Sequence, residues 1–147
     1  MSAYDLDILQ LGAQGYCCAQ IILKMGLRLW GEENSMLVRA SGALCRGIAG
    51  NGICGAFIGA ACLLGCFAAK GNDQEEEDER LQLMLSDLWQ WFDEYCAKRH
   101  PGHTCRDIVP DGRINPEVCG GLVSACYGKA LELLAANGFD PEYCNDR

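Results

Sequence analysis

Eleven cysteines in 147 residues give this chain its widest chemical reach, because a thiolate can attack a disulfide, react with an oxidant or ligate a soft metal. No two of them form a C-x-x-C pair. The nearest spacings are the adjacent Cys17 and Cys18, and the C-x-x-x-C of Cys62 and Cys66. Rubredoxin-like and zinc-ribbon knuckles, ferredoxin runs, thioredoxin motifs and c-type haem attachment are thereby excluded, since each needs two cysteines separated by two residues. A site built from these thiols must draw on positions distant in sequence. His100, His103 and Cys105 spell H-x-x-H-x-C, a minor zinc candidate whose plainer reading is a pair of loop histidines facing solvent. No Ser-His-Asp set, paired-carboxylate site or phosphate-binding glycine motif stands out.

The bulk composition narrows the setting. Half of the residues are apolar, 22% are charged and mean hydropathy is near zero, as expected of a single domain over residues 1–147. A formal net charge of −8 disfavours nucleic acid and anionic membrane surfaces. The opening MSAYDLD has neither a basic region nor an apolar stretch, so a cytoplasmic protein without a signal peptide is expected. Disulfides are mostly transient in that compartment, and an odd number of cysteines cannot all pair within one chain.

The elements that must position these thiols read as helices nearly throughout. Residues 3–11 carry Tyr4, Ile8 and Leu11 on one face, with Gly12 and Gly15 as stops. A second helix is predicted over 16–29, with Ile21, Ile22, Met25 and Leu29 inward. A third, over 35–45, is capped by Asn34. A glycine-rich loop follows over 47–52. The uncharged 17-residue run 53–69 is at the lower limit for a membrane span. Its three glycines and its lack of aromatic or basic anchors favour a central buried helix instead. Gly55 and Gly59 form a smooth stripe on it, suited to a close neighbour, a cofactor or a second subunit.

An acidic connection over 71–79 leads into the most periodic segment, in which Leu81, Met84, Leu85, Leu88, Trp91, Phe92 and Tyr95 recur at helical spacing. After a Pro/Gly-punctuated stretch containing one short turn, Asn115, Pro116 and Glu117 read as N-cap, N1 and N2 of a helix running to Ala136. The expected fold is all-α: a compact bundle of five to six helices around a small-residue-rich central one.

On these helices four cysteines fall in or beside a first turn. Cys18 follows the Gly15 break, Cys54 opens the central helix, Cys105 follows a capping-box-like Thr104 with Asp107 three residues on, and Cys119 lies one turn past Pro116. A helix N-terminus offers unpaired N–H groups and partial positive charge. It stabilises a thiolate by about 0.3–2 kcal/mol. Four such ends converging would suit an anionic cluster whose sulfurs need donors. Cys17 is the alternative to Cys18 if the helix phase differs by one. Cys62 and Cys66, and also Cys45, Cys96 and Cys126, read as small buried hydrophobes. Cys144 reads as a surface thiol, and Arg106 and Asp107 as cap or surface residues that could tune Cys105.

The segments GYCCAQIIL, RASGALCRGIAGNGICGAFIGA, TCRDI and VCGGLVSACYGKALELL resemble the redox-active family designated C_GCAxxG_C_C, with C-G-A-x-x-G at residues 54–59. The resemblance runs from about Leu11 to Leu134. It implies Cys18, Cys54, Cys105 and Cys119 as the signature set. A similar module accompanies haem in split-Soret cytochromes, but this chain has no haem-attachment motif and carries seven additional cysteines.

The leading expectation is an electron-transfer or redox protein binding an iron–sulfur cluster through Cys18, Cys54, Cys105 and Cys119, and exchanging electrons with a redox partner protein. A metal-free thiol–disulfide protein in which two of the four cycle is the first alternative. A structural or partner-binding helical protein with inert thiols is the second.

Overall fold

The computed structural model describes residues 3–144. In chain order its helices are α1 (Asp5–Ala13), α2 (Cys18–Trp30), α3 (Ser35–Ser41), the short turn α4 (Arg46–Ala49), α5 (Gly55–Ala68), α6 (Arg80–Ala97), the single turn α7 (Cys105–Ile108) and α8 (Pro116–Ala136). A 3₁₀ turn, Gly42–Leu44, links α3 to α4. Among the described residues there is no strand, only an isolated antiparallel bridge between Ile53 and Thr104. The all-α expectation holds, with α5 at the centre and α2, α6 and α8 packed around it.

The caps explain where these helices begin and end. Gly31 closes α2 at φ 71°, and the Glu32 N–H reaches back to the Leu27 carbonyl at 2.9 Å, a left-handed stop that favours glycine. The Asn115 side chain accepts from the N–H groups of Glu117 and Val118 at 3.0 and 3.2 Å. Pro116 at N1 loses no hydrogen bond there. Both reciprocal bonds of the Thr104/Asp107 capping box are present, at 3.1 and 3.2 Å.

The core fills from the faces the periodicity marks. Leu81, Met84, Leu88, Phe92 and Cys96 of α6 are buried, as are Leu63, Leu64 and Phe67 of α5 and Leu122, Val123 and Leu134 of α8. The small-residue stripe serves close packing within the chain. A Cβ on Gly59 would stand 2.9 Å from the Ala19 Cα, so α2 and α5 approach almost backbone to backbone. α5 itself has 14 residues, short of the about 20 that cross a bilayer. By length and composition α8, with 21 residues, is long enough, and it buries its apolar face on α1, α2, α5 and α6.

The C-terminal stretch folds back onto α2 and α5. Trp30 donates its indole N–H to the Pro141 carbonyl at 2.8 Å, and Phe139 packs edge-on against Phe67. Cys144 is therefore no surface thiol. It is partly buried, and its Sγ donates to the Cys66 carbonyl at 3.3 Å.

Candidate four-cysteine site

Four separate elements bring Cys18, Cys54, Cys105 and Cys119 to one cavity of about 370 Å³. Cys18 is the first residue of α2 and Cys105 the first of α7. Cys54 is the N-cap of α5. Cys119 stands at the fourth position of α8, its N–H donating to the Asn115 carbonyl at 2.8 Å.

A short paired segment sets the distance between two of the four. The Cys54 N–H donates to the His103 carbonyl at 2.9 Å, and the Cys105 N–H donates to the Gly52 carbonyl at 3.2 Å. These bonds flank the Ile53–Thr104 bridge and lock the start of α5 to the start of α7. Cys18 approaches from α2 across Gly55. A Cβ on Gly55 would stand 2.6 Å from the Cys18 Sγ and 2.9 Å from the Leu44 carbonyl oxygen. Only glycine allows so close an approach of Cys18 and Leu44 to the head of α5.

The other walls are apolar, with Ile8, Val109, Leu122 and Val123 among them; Arg46 is the only charged side chain lining the cavity among the described residues. Burial in this wall decides the protonation of the thiols. Burial raises the pKa of Cys18, against which the Arg46 N–H donates to its sulfur. Burial pushes Cys54 up to about 12, although the N–H groups of Ala56 and Phe57 at the head of α5 favour its thiolate. Cys105 is raised by burial and by Cys18 and Cys119, with the positive charge of Arg46 opposing. The helix-end donors expected from sequence are thus present at Cys18 and Cys54, but they do not produce low-pKa thiols. Desolvation of a charge in a low-dielectric cavity outweighs two or three amide dipoles.

The structure corrects the reading of Cys17 and Cys45. They form a disulfide, with Cα atoms 6.0 Å apart and 28 residues between them in sequence. Cys45 is therefore not a buried thiol, and Cys17 is the N-cap of α2 rather than a substitute for Cys18. Cys45 precedes a run at positive φ: Arg46 at 59°, Gly47 at 59°, Ile48 at 58°, Ala49 at 60° and Gly50 at 86°. This left-handed turn is closed by the Gly50 N–H donating to the Arg46 carbonyl at 2.7 Å. The sequence reading missed both the disulfide and the turn, taking residues 35–45 as one helix and 47–52 as a glycine-rich loop.

The histidines do not join the cavity. His103 pairs through Nε2 with Asp93 and stacks on Trp89, and His100 does not line the cavity. Among the described residues no group of three or more His, Cys, Asp or Glu side chains is drawn together tightly enough to hold a metal ion; this counts against the zinc candidate, and the four cysteines line one cavity without closing on a single-ion site. Cys96 and Cys126 are fully buried, in keeping with a small hydrophobe.

Residues 16–133 match the family described as "Putative redox-active protein (C_GCAxxG_C_C)". The chain belongs to the C_GCAxxG_C_C family. The matched span contains all four cavity cysteines and both partners of the disulfide. No curated protein and no solved structure matches the chain.

Proposed function

We propose that this C_GCAxxG_C_C protein carries electrons by way of an iron–sulfur cluster held by Cys18, Cys54, Cys105 and Cys119. The observation that carries this reading is that these four cysteines, from four elements, line one mostly apolar cavity. The donor set fits such a group. Four cysteine sulfurs are its usual ligands, and the cavity of about 370 Å³ that they line has room for a group larger than a single ion. When bound, a cluster supplies one-electron redox chemistry at a potential tuned by hydrogen bonds to its sulfurs and by exposure.

The chain's own residues supply the rest. The backbone amides of Arg46, Ala56 and Phe57 favour the thiolates of Cys18 and Cys54, and the cavity wall is mostly apolar. The neutral thiols must lose protons to bind, so uptake of a cationic centre releases protons and strengthens with pH. The test is anaerobic reconstitution with iron and sulfide, read by visible absorption and Mössbauer spectroscopy. A coloured protein with cysteinyl-ligated iron supports the reading, and a colourless one with no bound iron ends it. In that second case the metal-free alternative gains, and oxidation should then remove two of the four thiols from alkylation.

A further inference from the structure

The Cys17–Cys45 disulfide lies outside the proposed ligand set, yet it touches the same site from two directions. Cys17 lines the cavity and directly precedes Cys18. Cys45 directly precedes Arg46, which also lines the cavity. Between Cys45 and the Ile53–Thr104 bridge runs the left-handed turn, three of whose residues at positive φ are not glycine. L-residues avoid that region, β-branched ones most of all. Ile48 gains nothing from burial in return, being 61% exposed. The turn is pinned at both ends: by the disulfide before Arg46, and beyond it by the Gly52 N–H donating to the Gly47 carbonyl at 2.6 Å and by the bridge to Thr104. A strained segment fixed at two points relaxes when one point is freed.

We propose that Cys17–Cys45 is a second redox centre, a reducible disulfide whose opening releases the turn over residues 46–50, including Arg46 of the cavity wall. The co-reactant is a dithiol. One of its thiolates attacks the Cys45 sulfur and forms a mixed disulfide while Cys17 leaves as a thiolate and takes up a proton. The second thiol of the reductant then displaces Cys45. Two electrons and two protons pass to the protein, and the dithiol becomes a disulfide. Both sulfurs belong to partly exposed residues, so a dithiol can reach them. This centre stands on its own geometry and operates whether or not the cavity holds a cluster.

The test uses the full chain in dithiothreitol buffers of graded reduced-to-oxidised ratio. Cys45 is the only cysteine in the tryptic peptide 40–46, so its alkylation reads the disulfide without interference from Cys18. Cys45 should become alkylatable while the helical circular dichroism stays intact. Amides over residues 46–51 should then exchange with deuterium at least about tenfold faster, while those of α6 stay unchanged. Ile48→Gly removes the strain from the oxidised form, so half-reduction should need a roughly tenfold higher reduced-to-oxidised ratio. Three results would overturn the proposal: Cys45 protected until the protein unfolds, exchange over 46–51 indifferent to reduction, or Ile48→Gly reduced at the wild-type ratio. None of these readouts depends on iron, so a failed reconstitution leaves this test intact.

Discussion

Cys54 and Gly55 are where a single atom matters most. Cys54→Ser replaces a soft sulfur by a hard oxygen at little change of volume, so iron taken up on reconstitution should fall sharply while the thermal midpoint moves little. Cys144→Ser, in the segment folded onto α5, should leave iron uptake at the wild-type level. Equal iron in the first variant and loss in the second would reverse the assignment. Gly55→Ala is the steric counterpart. Its Cβ meets the Cys18 Sγ and the Leu44 carbonyl, so urea unfolding should show a loss of about 1–3 kcal/mol, accompanied by poorer iron retention. The place of Cys54 and Gly55 at the head of the central helix was legible from spacing and motif. The protonation of the thiols was not: a helix end is a local feature that sequence reveals, whereas burial depends on what Ile8, Val109 and Leu122 bring from elsewhere. Arg46 escaped notice for the same reason, since nothing local says that its amide meets Cys18.

At the scale of elements, two one-turn pieces do the positioning. The Thr104 hydroxyl holds the head of α7, and Thr104→Ala should cost about 1 kcal/mol in urea unfolding. It should also loosen Cys105, raising that thiol's alkylation rate while leaving buried Cys126 unreactive. An unchanged Cys105 rate would mean that the bridge to Ile53 alone suffices. The long helix α6 offers a pH prediction. Burial, with Asp93 adding to it, pushes Cys96 up to about 11. The folded state therefore holds this proton more tightly than the unfolded chain, whose thiol titrates near 9. Its contribution is complete below pH 9 and is lost as pH rises through about 11. Urea midpoints should fall between pH 9 and 11, and less steeply in Cys96→Ala. The caps of α7 and α8 and the inward stripe of α6 were readable because each is written within a few consecutive residues. The left-handed turn of residues 46–50 was not, because Ile48 and Ala49 carry no preference for positive φ and adopt it under constraints imposed from Cys17 and Thr104.

Across the whole molecule, the bundle and the site are assembled from different kinds of contact. The bundle is built by α2, α5, α6 and α8 packing along their lengths, which hydrophobic periodicity announces in advance. The site sits at one end of that packing, where the heads of α2, α5, α7 and α8 converge. No pattern in the chain states which helix heads will share an end; only the fold decides it. That arrangement has a consequence for biogenesis. During synthesis Cys18 and Cys54 emerge early, Cys105 and Cys119 late, and the Ile53–Thr104 bridge that aligns two of them must wait for all of α6. A nascent chain arrested before residue 119 thus offers an incomplete set of sulfurs and a doorway still unlatched. Under the proposed assignment, ribosome-bound chains halted there should acquire no iron, whereas released chains should, so that loading would follow folding and not template it.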